Sequence, residues 1–135
     1  GGVLESVVRE GVVMAYRTRW DQRMKGLAEV MNRLPGIHTY TSCGGHRKIT
    51  DPSQCGEGEF TVGFAVDPTD EGLLSVGIIT LAAERVDSEN IMVRTYVCDD
   101  SPYELAFHVN GKNKASPDDL AVRILSIYRK GLTSD

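Results

Sequence analysis

No uninterrupted apolar run in this sequence reaches the roughly 18 residues a membrane-spanning helix needs. A helical membrane protein is therefore not expected. Cysteine is scarce and odd in number, with only Cys43, Cys55 and Cys98. An odd count without a secretory leader argues for a reducing, cytoplasmic setting over a disulfide framework. The opening residues GGVLESVVRE lack a basic start and an apolar core, so no signal peptide is expected. A basic excess is also missing. Lys and Arg total 15 against 19 Asp and Glu, for a net charge of −4. Broad nucleic-acid-coating surfaces are basic, so none is expected here. Local basic stretches remain at Arg47–Lys48 and Lys112–Lys114, which also suit solvated loops. Paired C-x-x-C units, the strong zinc signal, are absent.

What is present suits one globular domain, residues 1–135, with 41% hydrophobic and 25% charged residues. Residues 3–18 are ambiguous between helix and strand. Trp20, Met24, Leu27, Met31 and Leu34 form a helical stripe that Pro35-Gly36 stops. Ile37–Thr41 reads as a short strand. Over 59–67, Phe60, Val62, Phe64 and Val66 alternate with Thr61, Gly63 and Ala65, as in a half-buried strand. Residues 67–86 turn helical, with Thr69 or Asp70 as cap and Leu73, Val76, Ile79, Leu81 and Ala83 near one side. Two alternating runs, 90–98 and 103–111, flank Asp99–Pro102 and predict an antiparallel hairpin. Ser116-Pro117-Asp118-Asp119 is a helix start, and Leu120, Ile124, Ile127 and Tyr128 are then expected to supply its buried face. The fold class predicted is α+β: two layers, a mainly antiparallel sheet of four or five strands, and helices on one face. A strand–strand–helix unit recurs over 37–85 and 90–131.

Reactive side chains concentrate in TYTSCGGHRKITDPSQCGEG, residues 39–58. The link between the first two strands is longer than most, and long links are commonly functional. Three chemistries are open there. Ser42, Gly44 and Gly45 could offer hydroxyl and backbone donors to an anion, with Arg47 supplying charge. Cys43 and His46 could act as nucleophile and base. Cys43, His46 and Cys55 could instead hold zinc as a structural staple, but the spacing is weak and no metal ligand is assigned. A Cys43–Cys55 pairing is possible if the loop folds back on itself. His108 alternates with core-directed Phe107 and Val109, so it lines the open sheet face or faces solvent. His38 reads as a half-exposed strand residue.

The stretch GIHTYTSCGGH, following a helix, resembles the N-terminal motif of the wybutosine-synthesising protein 3 family, Ser-Ser-Cys-Ser-Gly-Arg after a helix and strand. The matched core is Ser42, Cys43 and Gly45. His46 stands where that family has Arg, and Arg47 lies one place later. The resemblance implies methylation of a tricyclic guanine derivative in tRNA with S-adenosylmethionine. The same stretch is also similar to small bacterial and phage proteins of uncharacterised activity that carry Ser-Cys-x-Gly-His after a PGI turn. Together these features lead to the expectation of a small soluble domain with an anionic-ligand, nucleotide or nucleoside site at Ser42–Arg47 and His108. The alternative is a non-enzymatic oligomerising or partner-binding module whose Cys/His loop is structural. Cofactor, oligomeric state and enzymatic activity are not defined by the sequence.

Overall fold

In a computed structural model, residues 22–50, 54–96 and 105–131 are described. They form α1 (Gln22–Arg33), β1 (Ile37–Cys43), β2 (Phe60–Val66), α2 (Asp70–Asp87), β3 (Ile91–Thr95), β4 (Ala106–Gly111) and α3 (Pro117–Lys130). Residues 3–18, Trp20, Cys98 and the Asp99–Pro102 turn lie outside the described residues. The sheet has four strands in the order β1-β2-β4-β3, and every adjacent pair is antiparallel. The helices pack on one side of it, giving the two-layer α+β fold that the periodicities predict. β2 and β3 run parallel with β4 between them, so α2 is the crossover of a split β-α-β unit.

Alternation puts Phe60, Val62, Phe64 and Val66 of β2 toward the helices. Met24, Leu27 and Met31 of α1, Ile78 and Ile79 of α2, and Leu120, Ile124 and Ile127 of α3 meet them in one core. Caps fix where the last two helices begin. The Thr69 hydroxyl accepts from Gly72 N at 3.1 Å, and the Ser116 hydroxyl accepts from Asp119 N at 3.1 Å.

Tyr128 of α3, expected on the buried face, is 41% exposed, because it falls at the edge of the stripe that Leu120, Ile124 and Ile127 define. Two further expectations change. The stripe drawn through Leu73, Val76, Ile79, Leu81 and Ala83 of α2 is rotated. The buried positions are Gly72, Ser75, Ile78, Ile79, Ala82 and Ala83. Leu73 and Leu74 are 54% and 51% exposed. Small residues win because α2 lies close on its neighbours. The Ser75 hydroxyl donates to Pro35 O at 2.7 Å, and a Cβ on Gly72 would meet Asp67 O. The second change is on β2, where Gly63 and Ala65 are buried along with the core-facing residues. A central strand is flanked on both edges, so neighbouring side chains close over its outer face as well.

Candidate functional site

β1 carries a bulge. Thr39 pairs with Phe64 and Thr41 with Gly63, which leaves Tyr40 as the extra residue. Beyond the bulge, Ser42 is in register with core-facing Val62, and Cys43 with Thr61 on the opposite side. Ser42 and Cys43 therefore point to different layers. The Ser42 hydroxyl is buried on the helix side with no hydrogen-bond partner among the described residues. Strand alternation thus separates two members of the Ser-Cys-Gly-Gly-His motif that one pocket would need together.

The loop after β1 closes on itself. Cys55 N donates to Cys43 Sγ at 3.4 Å, and Cys55 Sγ donates to Cys43 O at 3.5 Å. His46 N donates to Cys55 O at 3.0 Å, forming a parallel bridge between His46 and Gly56. The Glu59 carboxylate accepts from Gly56 N at 2.6 Å. Gly45 adopts φ +100°, and a Cβ there would lie 2.8 Å from both Gly56 O and Glu59 O. The close backbone approach that Gly45 permits is thus to the returning limb of its own loop. Arg23 of α1 braces the base, donating to Gly44 O, to Glu59 O at 3.4 Å and to Ala115 O at 3.3 Å.

The reactive residues of the motif are accordingly distributed. Cys43 is only 8% exposed, and its thiol partner is Cys55. No hydrogen bond joins Cys43 to His46 among the described residues. Arg47 is solvent-exposed and lies 3.6 Å from Glu57, with side chains 90% and 68% exposed. An ion pair in that setting contributes about 0–1 kcal/mol. No cluster of three or more His, Cys, Asp or Glu side chains suited to a metal is present among the described residues. Burial and contact with Cys43 push the Cys55 thiol up to about 12, so it stays protonated at neutral pH.

His108 stands elsewhere, on the face of the sheet opposite the described helices, in register with Gly63. Its ring lies parallel to that of Tyr96, with centroids 4.3 Å apart and planes 10° apart. Its Nε2 is 3.4 Å from the Tyr40 hydroxyl, and the Tyr40 ring is tilted at 6.4 Å. Gly63 makes the cluster possible. A Cβ there would fall 2.6 Å from Thr41 Cγ2 and 3.0 Å from both His108 Nε2 and Tyr40 Cε2. Burial, and then the charge of Arg94, lower the His108 pKa from its ordinary 6.5. The imidazole is therefore neutral at pH 7. It combines an uncharged ring with a tyrosine hydroxyl, on a face that also carries Thr61, whose hydroxyl donates to Asn110 Oδ1 at 2.6 Å. His38 lies on the same face, paired with Asp67 at 3.0 Å.

The structure thus brings His108 together with Tyr40, Tyr96 and Arg94, and it gathers Cys43, Gly44, Gly45 and His46 into a closed loop at the sheet's end. Cys43 and His108 share the face opposite the described helices, two residues apart in register and two strands apart. Sequence reasoning missed Tyr40, Tyr96, Arg94 and Arg23. Strand alternation alone places Arg94 and Tyr96 on one side of β3. Tyr40 depends on the bulge and Arg23 on tertiary contact, so neither has a local signal. No family model, curated protein or solved structure matches this chain.

Proposed function

We propose that the chain is a binding domain for a planar, nucleoside-type ring, taken up on the open face of the sheet at Tyr40, Tyr96 and His108. The observation that carries this reading is the parallel Tyr96–His108 stack beside the Tyr40 hydroxyl. A third planar ring continues such a stack, and each base–aromatic stack contributes about 1–3 kcal/mol. A sheet face bearing exposed aromatics is a recurrent way to hold unpaired bases. Arg94, in register with His108, supplies a positive charge for a phosphate on the same ligand. The Tyr40 hydroxyl and the neutral imidazole offer a donor and an acceptor to ring edges.

The resemblance to the wybutosine-synthesising protein 3 family, carried by Ser42, Cys43 and Gly45, points toward the same ligand class: a modified guanine ring, with S-adenosylmethionine as methyl donor. On this proposal the domain works in the cytoplasm, which the odd cysteine count supports. In this reading the Cys/His loop is the wall at one end of the ring-binding face and is held by protein contacts. That part agrees with a structural staple and differs from a catalytic Cys43–His46 pair.

Nuclear magnetic resonance titration of His108 and the tyrosines with guanosine, adenosine and their 5′-monophosphates tests the proposal. Saturable shifts at His108 are expected. Tyr96→Ala should weaken binding about 5- to 150-fold, the equivalent of one lost stack. Shifts that never saturate, or that Tyr96→Ala leaves unchanged, would sink it.

A further inference from the structure

We infer that Cys43 and Cys55 form a reversible intraloop dithiol–disulfide couple, a modification site independent of the ring-binding reading. The geometry of the loop carries the inference. Each cysteine meets the other twice, through Cys55 N to Cys43 Sγ at 3.4 Å and Cys55 Sγ to Cys43 O at 3.5 Å. Both are reduced and free. The contact is not left to chance encounters of a long loop. His46 N on Cys55 O at 3.0 Å, the His46–Gly56 bridge and the 2.8 Å approach available only at Gly45 hold the two limbs together. Cys43 is anchored at the end of β1, whereas Cys55 sits in irregular backbone that can adjust to disulfide geometry.

Burial sets the order of events. Cys43 is 8% exposed, and Cys55 is the more accessible of the two. With a small-molecule disulfide such as oxidised glutathione as oxidant, Cys55 loses its proton and attacks one sulfur of that disulfide. A mixed disulfide forms and one glutathione thiolate leaves. Cys43, deprotonated in turn, attacks the Cys55 sulfur, and the second glutathione leaves as a thiolate. The two protons from the cysteines end on the two released glutathiones. The protein is oxidised by two electrons and the oxidant is reduced by two. The elevated Cys55 pKa makes the first step slow at neutral pH and faster as pH rises. Closure would lock residues 43–55 into a covalent ring at the end of the open face. A pair of this kind switches with redox poise and is not a permanent staple.

The test uses the full chain carrying Cys98→Ser, so that only the two loop thiols remain. The reduced protein is equilibrated with mixtures of reduced and oxidised glutathione, quenched with acid, and mapped by mass spectrometry without reduction. The expected product is a Cys43–Cys55 linkage that dithiothreitol reverses. Its rate should rise about tenfold per pH unit near neutrality, because only the thiolate reacts. Cys43→Ser should stop at a mixed disulfide on Cys55. Circular dichroism of each variant checks folding, and the linkage measurement on the Cys98→Ser parent does not depend on those variants. Two free thiols after prolonged equilibration would overturn the inference. So would separate glutathione adducts on each cysteine, or linkage only between molecules.

Discussion

At the scale of the residue, much of the open face depends on one missing side chain. Gly63 leaves the space that Thr41, Tyr40 and His108 occupy. Gly63→Ala places a methyl 2.6 Å from Thr41 Cγ2 and 3.0 Å from His108 Nε2. Overpacking of this kind costs about 1–3 kcal/mol, so a drop of that size in a denaturant melt is expected, together with a disturbed His108 titration. A Gly63→Ala variant as stable as wild type, with an unchanged His108, would show that the cluster is loosely held. His108 itself makes a pH-dependent contribution. Its folded pKa is depressed below 6.5 by burial and by Arg94, so the unfolded chain binds its proton more readily. Stability from this group is complete above about pH 6.5 and falls as acid protonates the unfolded form. His108→Gln should flatten that part of the stability profile between pH 7 and pH 5. An uncharged nucleoside should bind less well over the same acid range, since stacking against the ring buries it further. Arg23 is the other residue with reach beyond its own helix, because it ties α1 to Gly44, Glu59 and Ala115. Arg23→Met should cost about 1.5–3 kcal/mol and speed amide exchange at His46, whose N–H closes the loop.

At the scale of the element, helix positions divide by what they touch. Ile124 of α3 is fully buried in the core. Ile124→Ala should cost about 2–5 kcal/mol by the transfer and cavity terms together. A loss under half of the lower bound would mean that α3 does not seal the sheet. Ser116→Ala, which removes the cap hydroxyl from Asp119 N, should cost about 1 kcal/mol. Both features of α3 were legible in sequence, because a cap followed by Pro and two acids is local chemistry and a period near 3.6 is backbone geometry. The stripe of α2 was not. Its apolar residues surround most of the helix, and only the close approach to the α1–β1 turn selects Gly72 and Ser75 for the inner side over Leu73 and Leu74. β2 shows the same limit. Alternation identifies its core face, but the burial of Gly63 and Ala65 depends on having strands on both sides.

At the scale of the whole molecule, the loop between β1 and β2 and the β4–α3 turn share one end of the sheet. Lys114 N donates to Gly58 O at 2.8 Å across that junction. The loop is closed by its own backbone, by two thiols and by Arg23. A metal chelator is therefore expected to leave the thermal melt of reduced protein unchanged, and a chelator-induced fall in melting temperature would put zinc at Cys43 and Cys55 instead. No helix among the described residues is long and apolar enough to cross a membrane.

Local patterns determined the elements of this protein. Periods of two and near four, Pro-Gly stops and hydroxyl caps act within a few residues, and so one-dimensional reading placed all four described strands and all three described helices. The same reading drew attention to Cys43, Gly45 and His46 because reactive and flexible residues crowd there. The partners of those residues were decided only by tertiary structure. A one-residue bulge between Thr39 and Thr41 shifts the phase of β1, which turns Ser42 inward and Cys43 outward. The strand order β1-β2-β4-β3 brings Tyr40, His108 and Tyr96 together across three strands. Register and strand order are set by the summed burial of a whole core, which no short stretch of sequence contains.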